Sequence, residues 1–212
     1  FPDESLFRDP AGSTSTDFTL LGRLKFAWDK DNWDLRAAYQ AGFLYGDRIE
    51  YTRDLPPASE LFVRRLPSDR TRLFDLTKII GDRGKQAAFH RLDRLSVGYT
   101  GPRVVLRFGR QAVTWGNGLI FTAMDIFNPF DPAAVDKEYK TGDDMLYGQY
   151  LVDNGDDLQA VWVIRRNLDG NVSKDVNYIA AKYHGFAGET EFDILIAEHF
   201  DDSIFGFGGI TS

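Results

Sequence analysis

The sequence predicts an all-β chain: the antiparallel, up-and-down strands of a transmembrane β-barrel, with about eight strands in its 212 residues. Three observations carry that expectation. Apolar and polar residues alternate with period 2 in one run after another. The first two runs exceed the roughly 9–11 residues that a tilted membrane strand needs. The connections alternate between short and long, as do the turns on one rim and the loops on the other in a barrel of this kind. With 17 Phe, 9 Tyr, 4 Trp and 20 Gly, the composition favours strands and tight turns over helices.

Residues 1–16 read as a polar lead-in, and 17–212 as strands. From Asp17, Phe18, Leu20, Gly22, Leu24, Phe26 and Trp28 share a face, against Thr19, Arg23 and Lys25. After the turn at 29–32, Trp33, Leu35, Ala37, Tyr39, Ala41, Phe43 and Tyr45 alternate with Asp34, Arg36, Gln40 and Gly42. Residues 46–85 form one long loop, rich in arginine and holding Pro56 and Pro57, with room for a helical turn or a small strand pair. Alternation resumes near Gln86 and is clearest where Leu95, Val97 and Tyr99 oppose Arg94, Ser96 and Gly98.

A turn at 100–103 leads to Val104, Leu106 and Phe108 against Val105, Arg107, Gly109 and Gln111. The second long loop spans 116–143. Beyond it come Leu146, Tyr150 and Val152, then the Asn154-Gly155 turn, whose dipeptide is a strong hairpin signal. Leu158, Ala160, Trp162 and Ile164 follow against Gln159 and Arg165. Past a loop at 167–175, Ile179, Ala181 and Tyr183 oppose Lys182 and His184; past a turn at 185–188, Phe192, Ile194 and Ile196 oppose Glu191 and Asp193. A ninth strand begins near the end, so the expectation is the N-terminal fragment of a larger barrel. The first residues lack a basic start and apolar core, which suits a mature or cut form.

Charge and composition narrow the function. A net charge of -7 and a pI near 5.0 argue against tracking of nucleic-acid phosphates. The absence of cysteine removes disulfides and thiolate chemistry. Mean hydropathy is -0.33 and no apolar run reaches transmembrane-helix length, which leaves alternating strands as the way to cross a bilayer. Trp28, Trp33, Tyr45 and Tyr99, near strand ends, are candidates for an interfacial aromatic girdle.

The run Gly109-Arg110-Gln111, Trp115-Gly116, the DIFNPFDP stretch at 125–132 and the acidic DKEYKTGDD at 136–144 resemble a pattern in large porin-like outer-membrane proteins of Gram-negative bacteria. Alginate-export and substrate-specific porins are distant relatives of that style. The resemblance implies an outer-membrane location and contact with the bilayer and lipopolysaccharide; no cofactor is expected.

If the apolar face meets lipid, Arg23, Lys25, Asp34, Arg36, Arg94, Arg107, Arg165, Lys182, Glu191 and Asp193 line a lumen, with cations in excess. Such a wall favours passive passage of small anionic or polar solutes. Strict alternation puts Arg110 on the lipid face; a bulge at Gly109 is expected to turn it inward, beside Arg107. The two would then oppose Asp125, Asp131, Asp136, Glu138, Asp143 and Asp144 of an inward-folded loop, as at a constriction; alternatively those acids are a solvated surface or a cation site.

His90, His184 and His199 have no metal-ligand spacing, Gly116-Asn117-Gly118 lacks the Lys-Ser/Thr of a phosphate loop, and neither Ser96 nor Ser203 is singled out as a nucleophile, so no enzyme is expected. Other readings are a non-conducting scaffold or sleeve with a periplasmic, export or electron-transfer partner, and a soluble ligand-binding β-barrel.

Overall fold

The computed structural model describes residues 14–54, 66–113, 115, 141–199 and 202–211, those at 51–54, 199 and 211 as backbone alone. The fold is all-β. The described strands are β1 (Asp17–Lys30), β2 (Trp33–Gly46), β3 (Thr77–Arg83), β4 (Gln86–Thr100), β5 (Val104–Gln111), β6 (Asp143–Leu151), β7 (Asp157–Val163), β8 (Tyr178–Ala187), β9 (Thr190–His199) and β10 (Asp202–Thr211). They form one up-and-down sheet in the order β1-β2-β4-β5-β6-β7-β8-β9-β10, with β3 paired to β4. Among the described residues no ladder joins β1 to β10, so the sheet is not closed.

Ten strands replace the eight expected. The additional one is β3, inside the segment read as a single loop at 46–85, which also holds the helix α1 (Asp47–Asp54). The last run is a complete strand, and Gly185, Phe186 and Ala187 belong to β8, which shortens the following turn to residues 188–189. Only residues 200–201 separate β9 from β10, so the alternation of short and long connections stops there.

Tight turns follow from local chemistry. Asp31 adopts φ 53°, the left-handed conformation that Asp tolerates, in the two-residue turn between β1 and β2. At 152–156 the Asn154 side chain accepts from the Asp156 N–H at 3.2 Å and donates to Asp156 Oδ2 at 2.7 Å, which fixes that hairpin.

The chain divides into two compact units, the first comprising the described residues of 1–25, 38–69 and 76–92. Its buried residues include Ala38, Ile49, Ala87 and Phe89. A side chain at Gly42 would overlap the Phe89 ring. The start of α1 is tied down by the Asp47 carboxylate, which accepts from the Thr16 N–H at 3.0 Å and pairs with Lys85 Nζ at 2.5 Å. That pairing holds Asp47 below the ordinary carboxylate range and Lys85 above its ordinary value.

The second unit comprises 26–37, 70–75 and the described residues of 93–212. Its core is Trp115, Met145, Val161, Val163, Tyr178, Ala180 and Leu195. Residues 70–75 form a strap beside Asp144 and residues 165–166. Arg72 bridges Arg165, the Arg166 N–H donates to Thr71 O at 3.0 Å, and the Phe74 N–H donates to Asp144 Oδ2 at 2.8 Å. Strands β5, β6 and β7 have 8, 9 and 7 residues, against 14 in β1 and β2, and the strap adds a backbone row beside residues 164–166, just past β7.

The side chains sort by face in an order opposite to that of a soluble sheet protein. Large apolar residues on alternate positions stand exposed: Leu24 (73%) and Phe26 on β1, Leu106 and Phe108 on β5, Leu158 and Trp162 on β7, Ile194 and Ile196 on β9, Phe205 (81%) and Phe207 on β10. Their neighbours in sequence, on the other face, include buried Asp34, Gln40, Lys182 and Asp193, and on β6–β9 also the core residues Met145, Val161, Val163, Tyr178, Ala180 and Leu195. Along β4 the buried positions are odd-numbered from Ala87 to Asp93 and even-numbered at Ser96 and Gly98, which breaks the single alternation expected from Gln86.

Candidate functional site

The charged face of the second unit is a lattice of ion pairs centred on carboxylates. Asp34, on β2, is nearly buried and binds Arg107 of β5, whose Nη2 donates to Oδ1 at 3.0 Å and to Oδ2 at 3.3 Å. Arg36 Nε lies 3.9 Å from the same carboxylate, while Arg36 Nη2 donates to Asp29 Oδ1 at 2.5 Å. Strand β4 intervenes between β2 and β5, and Gly98 stands opposite Arg107 in the ladder. A Cβ at Gly98 would collide with Asp34 Oδ1 and come within 3.0 Å of Arg107 Nε. The missing side chain is what lets the pair reach across a strand.

A second cluster lies on β8 and β9. Asp193 Oδ1 forms an ion pair with Lys182 Nζ at 3.3 Å and lies 3.0 Å from His184 Nδ1, whose Nε2 is 3.5 Å from Glu191 Oε1. Asp157 stands opposite His184 in the β7–β8 ladder. A third pair joins Arg165 to Asp143; Arg165 Nη1 also donates to Tyr178 Oη at 3.0 Å, and its guanidinium sits 4.7 Å over that ring. Arg165 follows the end of β7 instead of lying within it.

Trp115 is 2% exposed, packs in the core cluster and donates from Nε1 to Gln159 Oε1 at 2.7 Å. Gln159 is one of the alternate residues on the charged side of β7, so the chain just after β5 is held on that face. Asp125, Asp131, Asp136 and Glu138 lie outside the described residues, so the constriction expected of that loop does too.

Arg110 does not turn inward. The β5 ladders with β4 and β6 run without a register shift through Gly109, where φ is 121°, so Arg110 stays in phase with Leu106 and Phe108 on the apolar face. It is tolerated there because it is fully buried and paired. Arg110 Nε and Nη2 donate to the two Asp144 oxygens at 2.9 and 3.0 Å, and Nη2 donates to Phe74 O at 2.6 Å. The Phe74 ring meets Phe108 edge-on, 6.0 Å between centroids.

The remaining expected residues are accounted for as follows. Arg23 is half-buried and Lys25 exposed on β1. Arg94 Nη1 donates to Asp93 Oδ2 at 2.7 Å. Trp28 and Trp33 are exposed, and Trp33 meets Tyr99 edge-on, 5.2 Å between centroids; Tyr45 is also exposed. His90 contacts Tyr39, Ser96 is buried, Ser203 is exposed, and no group of potential metal ligands occurs among the described residues.

Asp93 is the acid that the sequence did not single out. Asp143 and Asp144, expected in the loop opposing Arg107 and Arg110, open β6, where they stand opposite Gln111 and Arg110.

Comparison with protein-family models, with curated proteins and with solved structures finds no match for this chain.

Proposed function

We propose that this chain builds the wall of an outer-membrane β-barrel that passes small polar or anionic solutes. The observation that carries this reading is the row of large apolar side chains standing exposed on one face, while the opposite face holds carboxylates with their cations beside a small apolar core. In water such an apolar surface is unfavourable and draws partners, since soluble monomers rarely expose patches beyond a few hundred Å². Against lipid it is the ordinary exterior, and the charged face becomes the lining of a polar passage. The pairing of Arg107 and Lys182 with acids argues against a strongly cationic lining and widens the solute class toward uncharged polar molecules.

The test is migration of the full-length protein from outer-membrane fractions with and without boiling, followed by conductance in a planar bilayer. A heat-dependent shift and discrete conductance are expected. A soluble protein with unshifted migration would overturn the membrane reading and make a ligand-binding β-protein the better account. A heat-shifted but non-conducting protein would make the wall a scaffold.

A further inference from the structure

We infer that Asp34 sets the ion selectivity of this wall by masking Arg107, so that the passage takes uncharged polar solutes in preference to ions. This rests on the channel reading above and deepens it to a substrate class and a residue.

The case is geometric. Asp34 binds Arg107 at 3.0 Å, whereas Arg36, 3.9 Å from the same carboxylate, is hydrogen-bonded to Asp29. The acid side chain is 9% exposed, whereas those of Arg107 and Arg36 are 33% and 39% exposed. The cations are therefore what a solute meets, and the carboxylate beneath decides how much positive field they present. Gly98 is the enabling element, since any side chain there would occupy the path between acid and base. The arrangement has a counterpart on β8–β9, where Asp193 lies between Lys182 and His184. A lining whose cations are held against acids presents dipoles in place of net charge. Dipoles hydrogen-bond to hydroxyl- or amide-bearing solutes without concentrating either ion.

The experiment is the reversal potential of the full-length channel in a potassium chloride gradient, for the native protein, Asp34→Asn and Arg107→Gln. Asp34→Asn is expected to raise the chloride-over-potassium permeability ratio at least about twofold, with Arg107→Gln shifting it in the opposite direction. The double variant Asp34→Asn/Arg107→Gln should fall between the two. Heat-shifted migration of each variant verifies folding, and if Asp34→Asn fails to fold, Arg107→Gln decides alone. Folded, conducting variants with an unchanged ratio would overturn this inference and leave the channel standing. Absence of conductance in the native protein would instead remove the channel reading, and this inference with it.

Discussion

Arg107 and Arg110 stand three residues apart on β5, each binds a carboxylate across the sheet, and their surroundings differ in every respect that matters energetically. Arg107 lies on the charged face, 33% exposed, and reaches over a glycine to Asp34. Arg110 lies on the apolar face, 0% exposed like its partner Asp144, and is closed over by Phe74. Water screens the first pair and none reaches the second. The same chemistry therefore tunes a surface in one place and seals a joint in the other.

The widest gap between the two pairs should show when one partner is removed. Arg110→Leu leaves Asp144 buried without its counter-charge, and a loss of about 3–5 kcal/mol is expected in denaturant titrations of the detergent-folded protein. Arg110→Leu/Asp144→Leu should recover most of it. A double variant as unstable as the single one would mean that Phe74 and the strap depend on the charges themselves.

Leu106→Arg asks whether the face that shelters Arg110 meets lipid. Leu106 is exposed and in phase with Arg110. An arginine there is expected to cost about 2–4 kcal/mol in a bilayer-reconstituted protein, less toward the interface. A change near zero would place that face in water.

Gly98→Ala sharpens the other half. Its Cβ must displace Asp34 or Arg107, and about 1–3 kcal/mol is the expected penalty by the same titration.

The smallest effect belongs to a turn. Asp156 is held below the ordinary carboxylate range, first by the Tyr183 hydroxyl, which donates to it at 2.5 Å, and then by the Asn154 amide. A carboxylate with a depressed folded pKa contributes stability that is present above its unfolded value of about 4 and is lost as the pH falls through the depressed one. Asp156→Asn should therefore lower stability at neutral pH and flatten the acid limb of a stability–pH curve, converging with the native protein at low pH.

How much of this is legible in the sequence depends on the range of the interaction. The alternating runs of β1, β2, β5, β7, β8 and β9 stand out because one face of each is mainly apolar, and period 2 survives any register. β3 escapes because Ile79 and Ile80 are consecutive and a register shift falls between Ile79 and Gly81. The cations of the wall are legible as residues on a face. Their neutralisation is not, because Asp34 meets Arg107 across an intervening strand and only the ladder shows that Gly98 lies between. Arg110 is the instructive failure. A cation on an apolar face reads as an error to be cured by a bulge, whereas the cure is an acid on the next strand and a segment from another part of the chain.

That segment has a kinetic corollary. Hairpins such as β8–β9 join residues close in sequence and can zip locally, at little cost in loop closure. The strap cannot, because Phe74 meets Asp144 across 70 residues and Arg70 meets the Leu168 carbonyl across 98. Its docking is expected to trail the β5–β6 pairing that presents Asp144 to it, which would make the Phe74 amide among the last to gain protection in pulsed hydrogen exchange during refolding.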